Sequence, residues 1–242
     1  MKILDIKVDE IDLPAVVSQI NSWLGETDQQ FITTVNPEFV VAAQKNFVFK
    51  EILNRADIST VDGSGLVWAA KFLTGEKLER VTGVDLTLEL LSGKCPQAQI
   101  YLLGGAPGVA EAVKIKYARE NIVSAEDGGK LLGNNNELEN NQAILDRINN
   151  SGANILLVAF GQIKQEMWLA ENLPKLPNIK IAIGVGGTFD YLSGRAKRPP
   201  QWLRNLGLEW LYRLIKEPKR WKRIWNATAV FSWLVFRKKY HF

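Results

Sequence analysis

Two hydroxyls, an amide and a carboxylate stand at the ends of two short β-branched runs between Phe31 and Gly65. They are Thr33, Thr34 and Asn36 in F-I-T-T-V-N-P-E, and Asp62 in I-S-T-V-D-G-S-G. Each run is followed at once by a helix-starting signal, Pro37 after Asn36 and Gly65 with an apolar run after Asp62. Consecutive βα units of a parallel sheet have that order in sequence. Open α/β sheets bind ligands at the carboxyl ends of their strands, so these groups are candidates to hold a polar ligand, with Asp62 able to move a proton. The competing assignment is capping. Asp62 and Asn36 each stand where a helix N-cap would accept a backbone N–H, and spacing does not separate the two roles.

Three later stretches carry further candidates. Lys164, Gln165 and Glu166 stand at a helix start after the apolar run Asn154 to Phe160, where they have little packing value, although a solvated first turn would look the same. Gly184, Gly186 and Gly187 in G-V-G-G-T-F-D let backbone approach a ligand or simply allow a tight turn. Gly104-Gly105-Ala-Pro-Gly108 joins a strand to a helix N-terminus, a ready anion site. The dinucleotide fingerprint is not present there, since Leu103 stands where its first glycine would be, yet Glu126 and Asp127 follow about 20 residues on, as a ribose-binding acid would. A ligand-free βα turn accounts for this glycine stretch almost as well.

Positioning such groups needs one core, and 242 residues can bury one with a modest appendage. The 46% hydrophobic and 23% charged residues are ordinary for a folded domain. One cysteine, Cys95, and one histidine, His241, exclude a disulfide framework within the chain and leave no basis for a Cys/His zinc site or a Ser-His triad. Any proton-transfer catalyst must then be Asp, Glu, Lys or Tyr.

Charge is divided unevenly. Residues 195 to 242 hold 13 Lys/Arg against 2 Asp/Glu, a net +11, while residues 1 to 194 hold 17 against 24, a net −7. Five of the eight tryptophans, Trp202, Trp210, Trp221, Trp225 and Trp233, lie in the basic tail. Basic charge interleaved with tryptophan suits an anionic membrane face, with nucleic acid as the rival. The opening M-K-I-L-D-I-K-V-D-E has acidic residues where a signal peptide would be apolar, so a cytoplasmic protein is expected. The longest apolar run, Ile224 to Phe236, is well short of the ~20 residues that span a bilayer; it could lie on a membrane but not cross it.

Periodicity and turn residues predict strands over Ile3 to Val8, Phe31 to Val35, Ser59 to Asp62, Gln99 to Leu103, Asn121 to Ser124, Asn154 to Phe160 and Ile179 to Ile183. Helices are predicted from Asp12 and Pro14 to Leu24, and over Pro37 to Lys45, Phe49 to Ala56, Leu66 to Leu73, Leu86 to Leu91, the stretch up to Arg119, and Leu138 to Asn150. Arg80 to Asp85 reads as a turn and G-G-K-L-L-G-N-N-N as a loop. The expectation is a Rossmann-like, mainly parallel sheet flanked by helices over residues 1 to 194, with a basic, Trp-rich helical appendage over 195 to 242. There is no internal repeat and no flexible linker.

Over nearly its whole length the sequence resembles the WecG/TagA/CpsF family, glycosyltransferase family 26. The motifs fall in order: T-x-N at Thr34 to Asn36, D-G-x-G at Asp62 to Gly65, R-x-x-G-x-D at Arg80 to Asp85, and L-L-G-G-x-P-G at Leu102 to Gly108. Then come K-Q-E at Lys164 to Glu166, G-G-x-F-D at Gly186 to Asp190, and G-L-E-W-L-Y-R-L-x-x-E-P-x-R from Gly207 to Arg220. Two departures are Ile163, where proline commonly precedes K-Q-E, and Ser64 inside D-G-x-G.

The resemblance implies an inverting transfer of a sugar from a UDP-sugar to an undecaprenyl-diphosphate-linked sugar in cell-surface polymer synthesis. The donor sugar would be N-acetylmannosamine or a related hexose. No cofactor, metal or nucleic acid is implied, and a homo-oligomer stays open. An inverting displacement needs a base, and an ordinary Asp with a pKa near ~3.9 is ionised at neutral pH, which makes Asp62 the choice. The chain has no D-x-D metal motif, and cationic side chains could replace the metal at the leaving diphosphate. Arg213, Arg220 and Arg223 match the family's basic C-terminal pattern, with Arg80 a further candidate and a lipid-facing basic surface the alternative. Thr34, Asn36, Gly104, Gly105, Gly108, Lys164, Gln165, Glu166, Gly186, Gly187 and Asp190 complete the expected substrate site. Location at the inner face of the cell membrane follows from the acceptor. The rival functions are a Rossmann-type NAD oxidoreductase using the Gly104 turn, and a non-enzymatic basic module binding lipid or nucleic acid.

Overall fold

The computed structural model describes residues 1–129, 131–132 and 137–240. Its chain begins with a tight hairpin, β1 (Lys2–Ile3) and β2 (Ile6–Lys7), paired antiparallel with Ile3 opposite Ile6. This corrects the single strand expected over Ile3 to Val8. Leu4 and Asp5 take positive φ of 49° and 64° and reverse the chain, while Ile3, Ile6 and Val8 still bury fully.

Helix α1 (Leu13–Trp23) starts at Asp12, whose carboxylate accepts the Ala15 N–H. Strand β3 (Gln30–Val35) leads into α2 (Pro37–Ala43) and α3 (Phe47–Arg55), and β4 (Ile58–Val61) into α4 (Ser64–Thr74). Helix α5 (Gly83–Leu91) is capped by Thr82, so it starts within the stretch expected as a turn. Then follow β5 (Ile100–Gly104), α6 (Val109–Tyr117) and β6 (Ile122–Glu126). Strands β7 (Leu131–Leu132) and β8 (Glu137–Leu138) pair antiparallel within and beyond the stretch expected as loop; residues 130 and 133–136 of that loop, and His241, lie outside the described residues. Leu138 therefore belongs to β8, and α7 (Asn141–Asn149) starts later than expected. Strand β9 (Ile155–Ala159), α8 (Lys164–Asn172), β10 (Ile181–Gly184) and α9 (Thr188–Ser193) complete the body.

Six strands form one parallel sheet in the order β4-β3-β10-β9-β5-β6. Its central strands are covered on both faces, which is why β9 reads as the unbroken run I-L-L-V-A. One face carries α1, α5, α6 and α9 over Ile100, Leu102, Ile155, Leu157, Ile181 and Ile183. The other carries α7 and α8 over Tyr101, Leu103, Leu156, Val158 and Ala182.

The tail adds α10 (Gln201–Asn205), α11 (Glu209–Lys216), α12 (Trp221–Trp225) and α13 (Phe231–Tyr240). A 3₁₀ turn at Pro218–Arg220 breaks the path between α11 and α12, as a proline must. Helices α10, α11 and α12 bury no residue. By contrast, Phe231 and Val235 of α13 enter the core formed by the first hairpin, α2, α3 and α4. The boundary at 194/195 is thus one of charge, not of packing. No helix among the described residues is long and apolar enough to cross a membrane.

Candidate functional site

A cleft of ≈ 1280 Å³ opens at the carboxyl ends of the strands and is roofed by the tail. Its lining brings together Thr34, Asn36, Asp62, Arg80, Gly105, Gln165, Gly186, Gly187, Asp190, Arg213, Arg220 and Arg223. Gly104, Gly108, Lys164 and Glu166 stand outside that lining. Thr33 is fully buried, because alternate residues of β3 face opposite sides of the sheet, and its hydroxyl donates to Ser59 Oγ.

The two candidate caps separate here. Asn36 Oδ1 accepts the Phe39 N–H at 3.0 Å and starts α2, so part of its side chain is committed to the fold. Asp62 is not a cap: α4 takes Gly63 as its N-cap, with no side-chain hydrogen bond. The Asp62 N–H donates to Val35 O at 2.7 Å, anchoring the residue beside β3 and leaving its carboxylate to the cleft.

Burial pushes the Asp62 carboxyl up to about 6, against the pull of Arg213; Glu209 raises it further, while Arg80 and the Gly83 N–H oppose. The ordinary carboxylate pKa expected from sequence is thereby corrected. The wall of protein around the group removes water that would otherwise solvate its charge.

The four arginines differ in what they hold. Arg80 pairs with Glu209 at 3.1 Å. Arg213 lies over the Tyr191 ring at 5.4 Å and leaves its Nε buried without a partner. Arg220 is paired with Glu217 of its own segment. Arg223 reaches Glu38 of α2 at 2.9 Å. Of these four, Arg213 is the one with no ion pair among the described residues, and its Nε is an unused donor.

A buried network shapes the turn after β10. Thr34 Oγ1 donates to Gly184 O at 3.0 Å, and Gln165 Oε1 accepts the Gly186 N–H at 3.0 Å. Gln165 Nε2 in turn donates to Glu166 Oε1 at 2.6 Å. Glu166 is fully buried, and burial pushes its carboxyl up to about 8. The K-Q-E triplet is thus divided: Gln165 faces the cleft, Glu166 holds Gln165 from behind, and Lys164 is exposed. Gly184 is required by this network, since a Cβ there would lie 2.5 Å from Glu166 Oε1.

The two departures from the family motifs have visible consequences. Ile163 takes φ 72° and donates its N–H to Glu166 Oε2 at 2.8 Å; proline could adopt neither that angle nor that bond. Ser64 donates its hydroxyl to Gly207 O at 3.1 Å, tying α4 to the tail.

The glycine stretch after β5 is mostly architectural. A Cβ on Gly104 would meet the Ala159 backbone at 2.8 Å, so this glycine lets β5 and β9 end in close contact. Gly108 caps α6 and borders a separate shallow depression. Asp190 stands in the lining with Arg195 at 3.9 Å. Sequence reasoning missed Glu209, Tyr191 and Arg198, the last pairing with Asp85 at 2.7 Å. Glu209 lay in the quoted G-L-E-W-L-Y-R motif and could have been chosen; the partner of Arg198 is more than a hundred residues away in sequence and gave no signal.

A family model described as Glycosyl transferase WecG/TagA/CpsF family matches residues 1–242, the whole chain.

Proposed function

The chain belongs to the WecG/TagA/CpsF glycosyltransferase family, a family of cell-surface polymer synthesis, and from that premise we propose that it is an inverting, UDP-sugar-dependent hexosyltransferase. The donor sugar is N-acetylmannosamine or a related hexose, and the acceptor is a sugar on undecaprenyl diphosphate at the inner face of the membrane. The observation that carries this reading is Asp62: a carboxylate that does not cap α4, largely enclosed in the cleft wall, with Arg213 and Arg80 as its cationic neighbours.

In the reaction, Asp62 takes the proton of the acceptor hydroxyl as that oxygen attacks the anomeric carbon of the donor. The new C–O bond forms opposite the bond to UDP, which breaks with its electron pair on the diphosphate oxygen, so the anomeric configuration inverts. Arg213, whose Nε is free of partners, meets the charge on the diphosphate. Arg80 and Arg220 stand in the same lining and can exchange their present carboxylate partners for phosphate. Divalent metal is not required in this scheme.

The test is an assay of a UDP-sugar panel on a short-chain diphosphate acceptor, with the product anomer read by NMR and the rate compared with and without chelator. Transfer from one UDP-sugar with inversion, unaffected by chelator, is the expected result. Retention of configuration would remove Asp62 from the role of base, and a chelator-sensitive rate restored by magnesium would overturn the arginine scheme. The oxidoreductase alternative is separated by thermal shift, because UDP raises the melting temperature and NAD does not.

A further inference from the structure

A guanidinium that is to meet a diphosphate must be held in place without spending the N–H groups that the phosphate oxygens will use. Carboxylates hold three of the cleft arginines: Glu209 holds Arg80, Glu217 holds Arg220 and Glu38 holds Arg223. A carboxylate engages the same fork of donors as a phosphate, so each of these pairs must open before its arginine can serve one. Arg213 is held in another way.

Its guanidinium carbon lies over the Tyr191 ring, 5.4 Å from the centroid, within the range at which a cation is attracted to an aromatic face. A ring attracts the charge without taking up the donors as a carboxylate does. Arg213 accordingly keeps its Nε without a hydrogen-bond partner among the described residues. Both side chains line the cleft.

The two residues come from elements of unequal firmness. Tyr191 stands on α9, which is fixed by the buried Thr188, Phe189 and Leu192 and by the Thr188 hydroxyl donating to Val185 O at 2.6 Å. Phe189 and Leu192 belong to the core beneath the sheet, and Tyr191 packs against that core. Helix α11, which carries Arg213, buries no residue. Packing of its own helix therefore does not fix the Arg213 side chain, whereas the ring on the firm helix can. Burial raises the Tyr191 hydroxyl above its ordinary range, against the pull of Arg213. The ring is thus neutral at neutral pH, and the contact is one of a cation with an aromatic face, not an ion pair with a phenolate.

We propose, on the nucleotide-sugar reading above, that Tyr191 is the positioning residue for Arg213, its ring presenting the guanidinium to the donor diphosphate with its hydrogen-bond donors unspent. Tyr191 acts through Arg213 and touches no reacting atom.

A double-mutant cycle on kcat separates this role from simple packing, using the full chain, a water-soluble acceptor and saturating UDP-sugar, with thermal melts confirming that the variants fold. Tyr191→Leu should lower kcat by about 2- to 30-fold, the range of a cation–π contact. Tyr191→Phe keeps the ring and should recover most of that loss. In an Arg213→Ala background, Tyr191→Leu should cost nothing further, because no guanidinium is left to place. Tyr191→Met serves as a second ring-free variant if Tyr191→Leu does not fold. An unchanged kcat in the ring-free variant, an equal loss in both backgrounds, or a Tyr191→Phe rate as low as that of Tyr191→Leu overturns the inference while leaving the UDP-sugar reading standing. A wild-type protein that transfers from no UDP-sugar overturns that reading and, with it, the role of Tyr191.

Discussion

As the proposed base, Asp62 works under opposing demands, because the enclosure that would exclude water from the reaction also makes its charge costly. Its carboxyl rises from 3.8 to about 6, so the base form is complete only above that value. The kcat/KM profile should therefore rise with pH through an acid limb near 6, measured on a water-soluble acceptor. Asp62→Asn should fold and lose turnover by about 10²- to 10⁴-fold, with UDP affinity little changed. Near-full activity in that variant would place the base elsewhere. Stability runs in the opposite sense. With the folded pKa above the unfolded one, the contribution of Asp62 is fully present below the unfolded value of 3.8 and is lost as pH rises through about 6. Asp62→Asn should thus melt above wild type at neutral pH, with the gap closing as pH falls toward 4. Gly184→Ala tests the network behind the site. A Cβ placed 2.5 Å from Glu166 Oε1 and 2.6 Å from Gln165 Nε2 should cost about 1 to 3 kcal/mol by thermal or chemical unfolding.

At the scale of elements, the tail between α9 and α13 is held to the body by contacts from widely separated parts of the chain. Asp85–Arg198, Arg80–Glu209 and Glu38–Arg223 are ion pairs, and the Ser64 hydroxyl reaches Gly207. Partly exposed pairs of this kind contribute about 0 to 1 kcal/mol each. The firm attachment is Phe231, 1% exposed in a core shared with α2 and α4. Phe231→Ala should destabilise the whole protein by about 3 to 5 kcal/mol although it lies in the tail. For the same reason, truncation after Gly194 removes a piece of the core together with the arginines. The catalytic role proposed for the tail is better tested by single changes in the full chain. Arg213→Ala should lower kcat on soluble acceptor by about 10²-fold or more, whereas Arg223→Ala, which removes a surface pair with Glu38, should change it far less. Equal losses from the two would mean that the arginines act through the placement of the tail and not at the diphosphate.

Across the whole molecule, an acidic body carries a basic tail whose large apolar side chains are left outside. Trp202, Leu206, Ile215, Trp221, Trp225 and Trp233 are all more than half exposed. Large exposed apolar side chains mark an interaction surface, and with Lys and Arg among them we propose an anionic membrane as its partner. Cosedimentation with vesicles should accordingly require anionic lipid and weaken with salt. Replacing Trp202 and Ile215 by Ala should weaken binding without altering the rate on soluble acceptor. Binding indifferent to lipid charge would overturn this proposal.

Sequence alone determined the βα grammar, the parallel sheet and the residues at its carboxyl edge. Those signals are local: β-branched runs, caps and glycine turns act within a few residues of themselves. The family motifs likewise named Asp62, Gln165 and Arg213 before any geometry was known. What each polar residue is free to do was decided only by tertiary structure, because that depends on partners far along the chain. Asn36 and Asp62 look alike as caps, and only the start of α4 at Gly63 releases the second. Glu126 stands where a ribose-binding acid would, yet Tyr101 and Arg147 take up its carboxylate. The raised pKa of Asp62 belongs to the same class, since desolvation is a property of everything packed around a group and is written in no single stretch of sequence.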